Sequence, residues 1–178
     1  MKNLVFYTML ACMVVFSSCD TTNTDDVLQN EAALKSGVKV KNFRAHLSGD
    51  QEVPPNESIA QGQAIFQLSK DGTELSYKLI VANLENLHMA HIHRAPAGVN
   101  GGVVVWLYPS APPAVLLPGT TKGILAEGVI KAENLVGSLA GQSLSALINE
   151  MSAGNTYVNI HTMPLFPGGE IRGQIFGN

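Results

Sequence analysis

The sequence predicts a mostly β domain, an antiparallel β-sandwich with one short helix. Three observations carry that expectation. Apolar–polar alternation of period two recurs between turn signals in about seven or more short segments. Charged residues make up only 14% of the chain while glycines number 17, a balance that suits a turn-rich β domain better than a helical one. A single segment departs from period two: Leu144, Leu147, Ile148 and Met151 stand at i, i+3, i+4 and i+7.

The elements follow in order. Residues 38–47 (VKVKNFRAHL) form a first strand with an irregularity near Asn42. SGDQEVPPNES is a loop, because Pro54-Pro55 cannot sit in a central strand. Residues 62–68 and 74–82 alternate on either side of Lys70-Asp71-Gly72-Thr73, a hairpin turn with Asp-Gly at its centre. Residues 87–94 (LHMAHIHR) make another strand, 95–102 a loop, and 103–108 (VVVWLY) an apolar strand in which Trp106 reads as core. Strands at 121–130 and 156–160 flank the helix at 143–153, which Ser143 can start and Gly154 can end. Residues 170–176 (EIRGQIF) close the domain after the turn pair Gly168-Gly169. No fixed-period repeat is present, which excludes propellers and solenoids.

The first 37 residues have a different character. Lys2 precedes an apolar run, residues 4–16, of about 13 residues, which fits a signal h-region and is too short to span a bilayer. Ser17 and Ser18 then stand directly before Cys19. Small residues before a cysteine are what a lipoprotein signal peptidase needs, although Phe16 stands where leucine is usual. The expected organisation is a type II signal peptide at 1–18, a lipidated flexible tether at 19–37, and a β domain at 38–178. The plainer alternative is an ordinary signal peptide with an incidental cysteine. The lipid reading places the protein outside the cytoplasm, anchored through Cys19 to the cell envelope, with the inner or outer membrane left open.

Charge and cysteine usage exclude several roles. The net charge is −3 and the basic residues are scattered singly, so nucleic acid is not an expected partner. Cys12 and Cys19 are the only cysteines, so the domain has no disulfide and stands on its core alone. No Gly-x-Ser-x-Gly elbow, phosphate loop or marked carboxylate pair occurs.

The densest polar cluster is His88-Met89-Ala90-His91-Ile92-His93. Positions i and i+2 of a strand share a face, so His91 and His93 stand side by side. His161 ends the strand TYVNIH, and three histidines meet if the two strands are neighbours. Three imidazoles with one open position suit copper or zinc. The plain alternative is that they hydrogen-bond loop carbonyls. His46 and His88 read as surface or loop residues. Glu170 and Arg172 share a face and either orient the histidine strand or form a solvated surface. Glu52, in the QEVPP loop, is a candidate oxygen ligand at the same end. Asn100-Gly101 is a turn pair.

Three blocks taken together resemble the CHRD (chordin-type) domain family: HLSGDQEVPPNESIAQGQAIFQL, LHMAHIHRAPAGVNGGVVVWLY and AGNTYVNIHTMPLFPGGEIRGQI. They occur in order across residues 43–176. Two departures are the bulky spacer TMPLF before Pro167 and Gly102 where many members have proline. The resemblance implies an immunoglobulin-like, Greek-key type β-sandwich in a secreted or lipid-anchored protein. Eukaryotic members bind growth-factor ligands outside the cell. The His-x-His strand and its glycine loop are also locally similar to the copper strand of copper/zinc superoxide dismutases, but five histidines are too few for that dinuclear site.

These readings rank a non-enzymatic, lipid-anchored binding or scaffold module first, with a protein or surface glycan as partner. A mononuclear copper or zinc protein using His91, His93 and His161 comes second. A metal-dependent redox enzyme comes third.

Overall fold

In the computed structural model, which describes residues 41–177, the chain is mostly β with one α-helix. The signal peptide, Cys19, the tether and the first three residues of the expected opening strand lie outside the described residues. Strands β1 (Asn42–Ser48) and β2 (Gln61–Leu68) alternate buried and exposed side chains as period-two sequences should. Their inward rows are Phe43, Ala45 and Leu47 on β1 and Gly62, Ala64 and Phe66 on β2.

Strand β3 (Leu75–Arg94) organises the rest. The sequence predicts two strands here, 74–82 and 87–94, and the structure joins them. Asn83 and Asn86 take left-handed backbone angles, φ 59° and 51°, so the chain bends without ending the strand. The first half of β3 pairs with β2. The second half pairs with β4 (Gly102–Tyr108) and β6 (Thr156–Thr162) on opposite edges. Strand β5 (Leu117–Ile130) runs antiparallel along the first half and the bend. Strand β6 pairs in turn with β7 (Phe166–Gln174).

Closure sets this domain apart from an open two-sheet sandwich. Strand β7 returns to β1 through Ser48 and Arg172, and the terminal β8 (Phe176–Gly177) pairs with Arg44 and Phe43. Because β2 also pairs with β3, strands β1, β2, β3, β6 and β7 form one closed ring. The expected sandwich is therefore better described as a five-stranded barrel carrying β4, β5 and β8 as additions. A barrel removes edges that a sandwich leaves unpaired.

Helix α1 (Leu144–Ser152) matches the expected 143–153, with Ser143 and Ala153 as its flanking residues. Its stripe of Leu144, Leu147, Ile148 and Met151 is buried in the same core as Ile92, Val158, Ile160 and Ile171. Gly154 follows at φ 71°, the left-handed conformation that ends many helices.

Candidate metal centre

Along β6 every residue is buried, on both faces. Val158 and Ile160 point into the apolar core. The alternate residues, Tyr157, Asn159 and His161, must then lie on the opposite face. The register extends that face across the sheet. His91 stands opposite Asn159 and His93 opposite Tyr157 on β3, while Arg172 and Gln174 stand opposite Asn159 and Tyr157 on β7. This outer face is polar yet buried, because residues 49–60 and 95–101 lie against it.

The loops are fastened there by hydrogen bonds. Arg172 donates from Nη2 to the Val99 carbonyl at 2.8 Å and from Nη1 to Asn100 Oδ1 at 3.1 Å. Its guanidinium carbon lies 3.4 Å from the centroid of the Tyr157 ring, a cation–π contact. Gln174 donates to the carbonyls of Ala95 and Gly154 at 3.0 and 2.6 Å. Asn100 Nδ2 ties the two loops together by donating to the Val53 carbonyl at 2.8 Å.

Beneath this cover the structure brings His91, His93 and His161 together. They are 2%, 8% and 6% exposed, and one potential ligand nitrogen from each lies within 4.8 Å of the others. Ring centroids are 5.5 Å apart for His91–His93, 5.3 Å for His91–His161 and 6.0 Å for His93–His161. Nδ1 of His93 is 2.9 Å from the Gly101 carbonyl, and Nδ1 of His161 is 3.0 Å from the Pro167 carbonyl. A carbonyl only accepts, so each Nδ1 carries the proton and each Nε2 presents a lone pair. Both Nε2 atoms are buried without a partner, as are both ring nitrogens of His91. Buried polar atoms are ordinarily satisfied, so four orphan nitrogens in one cluster call for a partner, either an ordered water or an ion.

The electrostatics keep the rings neutral. Burial lowers His91 to about 3, with the charges of His161 and His93 adding to the effect. Burial also lowers His161 to about 4, against the opposing hydrogen bond to Pro167. His93 is lowered by burial, partly offset by its bond to Gly101 and reinforced by Arg172. Neutral imidazole is the form that binds metal. Three nitrogens on a zinc ion at ~2.0–2.1 Å stand roughly 3.3 Å apart, so small ring rotations would complete such a site.

The other expected residues occupy distinct places. Glu52 is 6% exposed, outside the three-histidine cluster, with its Oε1 unpartnered. Burial pushes its carboxyl up to about 7, against the opposing charge of Arg172. A Cβ added to Gly169 would stand 2.6 Å from both Glu52 Oε1 and Asn159 Oδ1, so only glycine lets these groups approach. Glu170 is buried further along β7, accepting from Ser58 Oγ at 2.6 Å and Thr162 Oγ1 at 2.5 Å. Neither Glu170 nor Arg172 forms a solvated face. A surface cleft of about 400 Å³ beside Glu170 is lined by Ile59, Glu85 and Leu165 and contains none of the three histidines. Trp106, expected in the core, is half-buried and packs edge-on against His91 at 4.3 Å between centroids.

Tyr157, Asn159 and Gln174 escaped the reading of the sequence, and Gly101 enters it only as half of a turn pair. Tyr157 stacks on His93 at 4.9 Å and accepts the Gly101 amide proton at 3.0 Å. The period-two spacing from His161 back through Asn159 to Tyr157 was the available signal.

Fold and site together define a small closed β domain with a buried imidazole cluster under two pinned loops. The CHRD domain family model matches residues 43–175, and the chain belongs to that family. No curated protein and no solved structure matches the chain at a significant level. The two departures from the family pattern are harmless here. A Cβ at Gly102 would meet nothing within 4 Å, and the bulk of the TMPLF spacer turns outward, with Leu165 78% exposed.

Proposed function

We propose that this protein is an exported, lipid-anchored CHRD-domain protein acting as a non-enzymatic binding module, whose ligand is one copper or zinc ion on His91, His93 and His161. The observation that carries the metal reading is the convergence of one ring nitrogen from each of three buried histidines, all of which have an unpartnered ring nitrogen. This reading puts a metal ahead of the protein or glycan partner that the sequence ranked first. Gly101 and Pro167 carbonyls orient two of the rings, in the manner of outer-shell partners at metal sites. The apolar run, the two serines and Cys19 support export and lipidation.

Metal analysis of the full chain, purified in detergent without a histidine tag, tests the site. One equivalent of copper or zinc is expected, lost in His91→Ala/His93→Ala and kept in His88→Ala, with circular dichroism confirming that both variants fold. A wild-type chain that stays metal-free after incubation with either ion refutes the site. Fatty-acid labelling tests the anchor separately: Cys19→Ala should abolish it, and normal labelling in that variant refutes lipidation.

A further inference from the structure

The proposed site has features that choose between its two candidate metals. No carboxylate belongs to the ligand cluster, which among the described residues holds three imidazoles alone. All three donors are neutral and buried, so the bound ion keeps its full charge. Burying an ion costs free energy in proportion to the square of its charge, so a divalent ion costs roughly four times as much as a monovalent one of similar size. The surroundings add to that difference. The Arg172 guanidinium lies over the Tyr157 ring, which itself stacks on His93. Glu52, the buried acid beside Asn159, stands outside the ligand set.

The register supplies a soft donor as well. Met89 stands directly opposite His161 and two residues before His91, on the face that bears all three histidines. Thioether sulfur selects monovalent copper over zinc. The Trp106 ring, edge-on to His91, adds an apolar wall.

We propose that the ion held by His91, His93 and His161 is monovalent copper, with the Met89 thioether as fourth donor. This inference rests on the three-histidine reading and goes beyond it by naming the oxidation state and a further ligand.

The test is an anaerobic competition titration. The full chain carries Cys12→Ser and Cys19→Ser, so that no thiol competes, and copper(I) is presented as its bicinchoninate complex. Zinc(II) is titrated in parallel against a chromophoric chelator. One equivalent of copper(I) should be withdrawn from bicinchoninate, with zinc bound at least about 100-fold more weakly. Met89→Leu, which keeps apolar bulk at that position, should weaken copper(I) binding about tenfold and leave zinc unchanged. Zinc binding as tight as copper(I) overturns the copper assignment and leaves the three-histidine site standing. Unchanged copper(I) affinity in Met89→Leu overturns the role of the thioether. Binding of neither ion removes the site itself.

Discussion

The carbonyl of Gly101 lies 2.9 Å from Nδ1 of His93 and so decides which nitrogen of that ring faces the other two histidines. Position 101 must be glycine for this to hold, because a Cβ would run into the Arg94 carbonyl and the Ala95 side chain. Gly101→Ala should therefore destabilise the protein by about 2–3 kcal/mol and weaken metal binding together. Gly102→Ala, one residue on and facing open space, should change stability by less than about 0.5 kcal/mol. Urea unfolding of the two variants provides the comparison, and equal losses would contradict the packing described.

Arg172 is the clamp on the 95–101 loop. Arg172→Met keeps the bulk but loses the Tyr157 contact and the bonds to Val99 and Asn100. A loss of about 2–4 kcal/mol is expected, with faster amide exchange across residues 96–101. Arg172→Lys should rescue little, since an ammonium cannot reproduce the planar fork. Exchange unchanged in the methionine variant would show that the loop is held by other means.

Glu52 gives a pH dependence of known sign. Its folded pKa, about 7, exceeds the 4.5 of a free glutamate side chain, so the folded state binds the proton more tightly. Its contribution to stability is full below pH 4.5 and is lost as pH rises through 7. Glu52→Gln removes this loss, so the variant should gain on the wild type between pH 5 and pH 8. Parallel stability curves over that interval would contradict the burial of an ionisable carboxyl.

The histidines act in the opposite direction. Their folded pKa values lie below the 6.5 of a free imidazole, so the unfolded chain takes up protons that the folded domain refuses. Their contribution is full above pH 6.5 and falls as pH drops from there toward about 4. In a Glu52→Gln background, where the carboxyl no longer opposes them, the metal-free protein should lose stability steadily over that range. Denaturant midpoints measured at half-unit intervals check the slope, and a flat profile would mean that the rings are not buried neutral.

Much of this was legible in the sequence, for definable reasons. Period-two spacing identified β1, β2 and the shared face of His91 and His93, and period 3.6 identified α1, because local periodicity depends on neighbours in the chain. The ring closure did not announce itself. Ser48 and Arg172 meet across the domain, and no local pattern records such a partnership. The gap left between the strands expected at 74–82 and 87–94 holds Asn83 and Asn86, which here bend one strand that continues to Arg94. The burial of the polar face was equally hidden. Alternation tells which residues share a face, whereas what covers that face depends on loops from two other parts of the chain.

The long strand β3 also sets a schedule. His91 and His93 lie on it, but His161 reaches them only when β6 docks against its second half, after two intervening strands and the helix have been made. Contacts between residues so distant in the chain form late, since the intervening loop must close first. On the proposed reading, a chain exported in extended form would carry three separated imidazoles and no cage for an ion. Acquisition of the metal would then be the last act of maturation, performed wherever the barrel shuts, and the compartment in which folding finishes would determine which ions compete for it.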